Sequence, residues 1–188
     1  QAADAVYTAT LQPLNTRIAG GSTTGTARLT MHGDTLTIKI DVKGAPPHIE
    51  HWQHFHGFAD GSAATCPAAA ADVNHDGAID LIETGPAAGT TMVPFDAAPT
   101  AMNIPNHSYP KANAKGSYVY SKTVSLKAMQ AAFAKAFPGQ QLDLDHRVIL
   151  IHGVPASTKL PASVASLGPI PAAVTLPIAC GKLVRAAK

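Results

Sequence analysis

The stretch HWQHFHGFAD at residues 51–60 decides how this 188-residue chain is read. It is rich in aromatic and β-favouring residues and places His54 and His56 two positions apart. On an extended strand, side chains at i and i+2 project from the same face, so the two imidazoles can grip one metal ion while Phe55 packs behind them. Neutral imidazoles on a rigid strand suit copper, zinc or nickel far better than calcium or magnesium. The alternative for the strand alone is a pair of solvated histidines on a sheet face.

Outward from this stretch, the chain reads as a series of strands. Residues 5–13 and 25–42 alternate as half-buried antiparallel strands do, with Ala27, Leu29 and Met31, then Leu36, Ile38, Ile40 and Val42, on the apolar face. Met31-His32-Gly33-Asp34-Thr35 joins the second run to the third as a hairpin. Further strands are expected at residues 49–58, 118–124, 147–151 and 178–184. One helix is expected at 126–137, where Leu126, Met129, Phe133 and Phe137 share a face. No internal repeat is visible. The inventory predicts an all-β chain, a Greek-key β-barrel or sandwich with long loops and one short helix, forming a single domain over 1–188.

Composition narrows the class of function. Aromatics make up 5% and charged residues 14%, with 15 Gly and 15 Pro, a balance common in exported β proteins with many turns. The +2 formal charge comes from scattered Lys and Arg without a basic run, so nucleic acid is not an expected partner. The longest apolar stretches, such as 164–178, are interrupted by Ser, Gly and Pro and are too short to span a membrane, so none is expected as a partner. The start at Gln1-Ala2-Ala3-Asp4 suggests a mature form whose export signal has been removed, hence a periplasmic or secreted location.

Cys66 and Cys180 lie far apart in sequence and form no CxxC unit. In a chain of this character they favour one long-range disulfide over two buried thiols. Between them, Asp72-Val73-Asn74-His75-Asp76-Gly77-Ala78-Ile79-Asp80-Leu81-Ile82-Glu83 matches the calcium-loop pattern D-x-[DN]-x-[DN]-G-x5-E at every specified position. The expected ligands are Asp72, Asn74, Asp76, the Ala78 carbonyl, Asp80 and a bidentate Glu83, with Gly77 at the bend. Without a cation the four carboxylates would repel one another; the alternative is an acidic solvated turn. Cys66-Pro67 upstream and Gly85-Pro86 downstream leave little room for flanking helices, which predicts a clip that orders a loop rather than a sensor that opens.

These segments together resemble the copper-zinc superoxide dismutases, eight-stranded Greek-key barrels. HWQHFHGFAD is similar to the family's HGFHVHEFGD, which implies His54 and His56 as copper ligands and His51 as a supporting histidine behind them. Arg147-Val148-Ile149-Leu150-Ile151-His152 is similar to RTLVVH and implies His152 as a further ligand. Pro105-Asn106-His107-Ser108-Tyr109-Pro110 shares the H-x-x-P core of GPHFNP and implies His107 as the fourth. Ile178-Ala179-Cys180-Gly181-Lys182-Leu183 resembles LACGVI, whose cysteine pairs with a loop cysteine at the place of Cys66. The resemblance runs over most of the chain from Ala5 to Val184 and implies a superoxide dismutase-type barrel.

The chain also departs from that pattern. About forty residues, 67–106, separate Cys66 from His107 and carry the calcium loop as an insertion, where the family has only a few. Residues 111–123 contain no His and no Asp, so a zinc site of the family kind is not expected and the site is read as copper-only. Pro177 stands where the family places an arginine that draws superoxide to the metal, and residues 153–179 carry only Lys159 as a charge. Loss of steering would slow association about 10- to 1000-fold without removing copper chemistry. Arg147 or Arg185 could substitute only if turned toward the metal.

Three functions follow as expectations: a copper-dependent superoxide dismutase acting on superoxide or another small oxidant, a non-enzymatic copper-binding or buffering protein, and a calcium-dependent structural module akin to chordin-type domains. His32, His48, His75 and His146 are read as surface or hydrogen-bonded residues, with His75 the substitute for His107 should the latter prove remote. Oligomeric state is left open.

Overall fold

The structure, a computed structural model, describes residues 4–187; Gln1, Ala2 and Ala3, read above as an export-processed end, lie outside them. Among the described residues nine strands form one antiparallel system: β1 (Ala5–Pro13), β2 (Thr24–His32), β3 (Thr35–Lys43), β4 (Gln53–Gly57), β5 (Thr90–Pro94), β6 (Tyr118–Ser125), β7 (Val148–His152), β8 (Pro177–Lys182) and β9 (Val184–Arg185). Their spatial order is β5-β4-β7-β8-β1-β2-β3-β6, with β9 paired to β1. The chain leaves β3 at one end of this order, returns through β4 and β5 at the other, and crosses back for β6, a Greek-key path. The expected all-β architecture with long loops is what forms.

Local chemistry explains most boundaries. The β2–β3 hairpin closes His32 on Thr35 with Gly33 at φ 55°, a left-handed turn position that glycine adopts without a steric penalty. Leu29, Ile38, Ile40 and Val42 are fully buried from these strands, and they meet Phe55, Phe95 and Phe133 in one continuous core. The helix Leu126–Ala136 is capped by Ser125, whose hydroxyl accepts from the Ala128 amide, and it buries Leu126, Met129 and Phe133 as its periodicity predicts. Arg147 is also buried: its guanidinium donates to the carbonyls of Leu142, Phe58 and Gln141 and lies 5.4 Å from the Phe133 ring centre. A Cβ on Gly57 would approach Arg147 Nη1 to 2.5 Å, so only glycine fits there.

Three differences from the sequence-based expectations have physical causes. The strand expected at 49–58 begins only at Gln53, because Pro46, Pro47 and a left-handed His48 (φ 65°) bend its approach, leaving Glu50 as an isolated bridge to Lys111. The 67–106 segment contributes β5, which pairs with β4 beside the histidines. The last expected strand divides into β8 and β9 around Leu183.

Candidate metal centre

β4 supplies His54 and His56, and β7, its antiparallel neighbour, supplies His152 at its last position. Phe55 points the other way into the core beside Phe95 and Phe133. Backbone irregularities fall at Phe55/His56 against β5 and at Ile151/His152 against β8. Such bulges re-aim side chains at the edge of a site. The three rings form a near-equilateral triangle, with centroids 5.8 Å (His54–His56), 5.3 Å (His54–His152) and 5.7 Å (His56–His152) apart. One nitrogen from each lies within 4.8 Å of the other two, and all three residues are buried.

Hydrogen bonding fixes which nitrogens are free. The Thr175 carbonyl can only accept, so His152 donates to it from Nδ1 at 2.8 Å and keeps a lone pair on Nε2. The Tyr109 hydroxyl donates to the Ile104 carbonyl at 2.6 Å and therefore accepts from His54 Nε2 at 2.8 Å, which leaves the lone pair on Nδ1. His56 has no partner on either ring nitrogen. Thus His54 Nδ1, His152 Nε2 and both nitrogens of His56 are buried without partners. An unsatisfied buried polar atom costs about 1–3 kcal/mol, so four in one cluster form a donor set suited to a bound partner. A cation with an affinity for neutral imidazole fits this donor set, copper foremost in the divalent series, whereas calcium and magnesium do not.

Electrostatics keep the rings ready for a metal. Burial, then the neighbouring imidazoles, pushes His54 and His56 well below the ordinary histidine value; burial brings His152 down to about 4 despite its bond to Thr175. All three are neutral near pH 7, the form that coordinates. Folded-state values below the unfolded 6.5 mean that the unfolded chain binds more protons between the two, so stability falls as pH drops through that window. For His152 alone, the contribution present above about pH 6.5 and lost toward pH 4 is about 3 kcal/mol. Denaturant titrations of metal-free protein at pH 7 and pH 4.5 are expected to show this loss, and His152→Ala to reduce it.

His51 is fully buried, stacks on Tyr118 and sets its two ring nitrogens against the carbonyls of His152 (2.9 Å) and Pro46 (2.8 Å). It thereby ties the backbone of His152 to the entry of β4.

The other histidines lie elsewhere. His107 is not brought to the cluster: it is exposed on a turn where Asn106 Oδ1 accepts from the Ser108 amide, with Nδ1 3.6 Å from Glu50. Two residues on, Tyr109 turns inward, stacks on Trp52 at 5.4 Å and reaches His54. His75 is exposed with φ 57°, and the exposed His32 pairs with Asp4. His48 is exposed, and His146 bonds to the Gly61 carbonyl. Arg147 is committed to the carbonyls described above, and Arg185 lies on β9 opposite Tyr7. Neither turns toward the triangle.

Tyr109 is the contact that sequence reasoning missed. Because its hydroxyl selects the His54 tautomer, Tyr109→Phe is expected to weaken Cu(II) binding about 10- to 100-fold, read by chelator competition.

Cys66 and Cys180 form a disulfide with Cα atoms 5.9 Å apart, next to Leu150 in the β7–β8 pairing. In the acidic loop, oxygens of Asp72, Asp76 and Glu83 lie within 4.8 Å of one another. Glu83 closes the loop by accepting from the Val73 and Asp80 amides, and the Asn74 side chain accepts from the Asp76 amide. Ala78 is buried beyond Gly77. Asp80 is buried, and its oxygens accept from the amides of Ile82, Glu83 and Ala165.

Among the described residues no helix is long and apolar enough to cross a membrane. No family model matches the sequence, and no curated protein matches it. Among solved structures, the chain is similar to a Cu/Zn superoxide dismutase from Brucella abortus, at 16% identity over 94% of this chain and 98% of that one, with a TM-score of 0.41.

Proposed function

We propose that this chain is an exported, superoxide dismutase-like copper protein whose copper-only site acts on superoxide. The observation that carries the reading is the set of buried, unpartnered ring nitrogens on His54, His56 and His152. His54 through Nδ1, His152 through Nε2 and one nitrogen of His56 would hold the ion. Bound copper would supply one-electron chemistry, oxidising one superoxide to dioxygen and reducing a second, with two protons, to hydrogen peroxide. The chain's own contribution is to present three neutral imidazoles on two paired strands, with Tyr109, Thr175 and His51 holding their orientation. No zinc site of the family kind is proposed. The disulfide supports an oxidising compartment, periplasmic or extracellular. The test is superoxide consumption by copper-loaded protein beyond that of equimolar free copper.

A second reading, copper storage or delivery without catalysis, is favoured by the placement of Arg147, whose guanidinium is committed to backbone carbonyls, and of Arg185 on β9. Tight copper binding with no superoxide consumption would establish it. Failure to bind copper would end both.

The acidic loop is proposed as a structural calcium site formed by Asp72, Asn74, Asp76, the Ala78 carbonyl and Glu83, with Asp80 fastening it, through the Ala165 amide, to the loop that runs from His152 to β8. Asp76 also accepts from Ser163. At calcium a hundredfold above Kd the folded state gains about 2.7 kcal/mol. Chelation is therefore expected to lower Tm by roughly 5–10 °C. Asp72→Ala is expected to abolish that response; a Tm indifferent to chelation would refute the site.

A further inference from the structure

β1 ends at Pro13 beside β8, and one residue on, the Leu14 amide still donates to the Ile178 carbonyl at 2.9 Å. At Asn15 the main chain turns away in a left-handed conformation, φ 52° and ψ 43°, which asparagine adopts more readily than most residues. Its side chain continues the contact that the backbone abandons. Asn15 Nδ2 donates to the Pro177 carbonyl at 2.7 Å and to the Ile79 carbonyl at 2.9 Å, while Oδ1 accepts from the Ile79 amide at 2.7 Å. Both donor hydrogens and the acceptor of one carboxamide are thereby engaged, which only this orientation of the amide allows.

The place held by Asn15 is the one that orients His152. Pro177 is the register partner of His152 at the irregular end of the β7–β8 pairing, and proline brings no amide to that ladder. Two residues before it, the Thr175 carbonyl receives the His152 Nδ1 proton. Ile79, the other end of the clamp, is buried in the acidic loop, and its neighbour Asp80 accepts from the Ala165 amide. Next to Ala165, the Ser166 hydroxyl bonds to the Thr175 hydroxyl. Two hydrogen-bonded paths therefore leave adjacent residues of the acidic loop and converge on Thr175–Pro177. Partners behind a metal-binding histidine fix the direction of its lone pair, and Asn15 acts one step behind such a partner.

We propose that Asn15 is a positioning residue of the metal centre: by clamping Pro177 to Ile79 it holds the Thr175 carbonyl where it accepts from His152 Nδ1, and so aims Nε2 of that ring at the other two histidines. The inference deepens the copper reading and rests on it for the affinity measurement alone, because the His152 hydrogen bond is present in the metal-free protein.

Asn15→Asp keeps the shape but sets an acceptor against two carbonyl oxygens, and Asn15→Gly keeps the left-handed backbone while deleting the clamp. Leu29→Ala, in the core on β2, is the control for lost stability alone. Each variant is read by Tm, by solvent exchange of the His152 Nδ1 proton in metal-free protein carrying 15N-labelled histidine, and by Cu(II) affinity in chelator competition. Both Asn15 variants are expected to speed that exchange at least about threefold and to lower Cu(II) affinity about 3- to 30-fold. Leu29→Ala is expected to lower Tm at least as far while exchange and affinity stay at the parent's values. Should Asn15→Asp not fold, Asn15→Gly decides alone. Exchange or copper affinity unchanged in Asn15→Gly would overturn the proposal, as would both changes reproduced in Leu29→Ala. A parent that binds no copper, with faster His152 exchange in Asn15→Gly, would remove the copper reading and leave the clamp standing.

Discussion

Replacing His56 by alanine is expected to lower Cu(II) affinity by more than about 100-fold, the upper end of what supporting residues around a metal contribute. His56 separates the metal effect from the fold effect better than its neighbours, because neither of its nitrogens makes a hydrogen bond in the metal-free protein. His152→Ala would also strand the Thr175 carbonyl, and His54→Ala would deprive Tyr109 of its donor. For His56→Ala the cavity left by the ring destabilises, while removal of two unsatisfied nitrogens stabilises, so the two terms oppose. Competition with a chelator of known affinity should therefore show a large loss of copper binding beside a small change in metal-free stability. A copper affinity within a few-fold of the parent would mean that the metal binds elsewhere.

Loss of the disulfide is expected to be the largest single perturbation of stability. Cys66 and Cys180 are separated by 114 residues, and opening a loop of that size returns about 4–5 kcal/mol of chain entropy to the unfolded state. Domains have only about 5–15 kcal/mol in total. Cys180 lies in β8 beside Leu150, two positions before His152 along β7, so the bridge anchors residues 59–88 to the strand that carries the site. Cys66→Ser with Cys180→Ser, or reduction of the native protein, is expected to lower Tm by roughly 10–20 °C. A fall of only a few degrees would show that the unfolded chain is already compact enough to make the bridge redundant.

The parts of this structure that were legible in sequence are those governed by short periods. Alternation revealed β1, β2 and β3 with bounds that shift by at most a residue or so, because one face of each is buried and the other is wet. The i, i+2 spacing placed His54 and His56 on one face, and the apolar positions of Leu126, Met129 and Phe133 marked the helix. What escaped was set by non-local contacts. β5 is a five-residue strand ending in proline, with no pattern of its own, and exists because β4 offers an edge beside it. His107 and Tyr109 are two residues apart on an irregular turn. Which of them faces inward depends on the stacking of Tyr109 against Trp52 and its hydroxyl bond to Ile104, neither of which leaves a trace in residue order. The acidic loop shows the same division. Its spacing brings Asp72, Asp76 and Glu83 together, but the commitment of Asp80 to the Ala165 amide follows from the packing of a segment 85 residues away.

The most direct test of the central claim is pulsed electron spin resonance on protein loaded with one equivalent of Cu(II), counting the imidazoles bound to the metal. Three are expected, falling to two in His56→Ala. A spectrum with one imidazole or none, or one that His56→Ala leaves unchanged, would contradict a copper centre built from His54, His56 and His152.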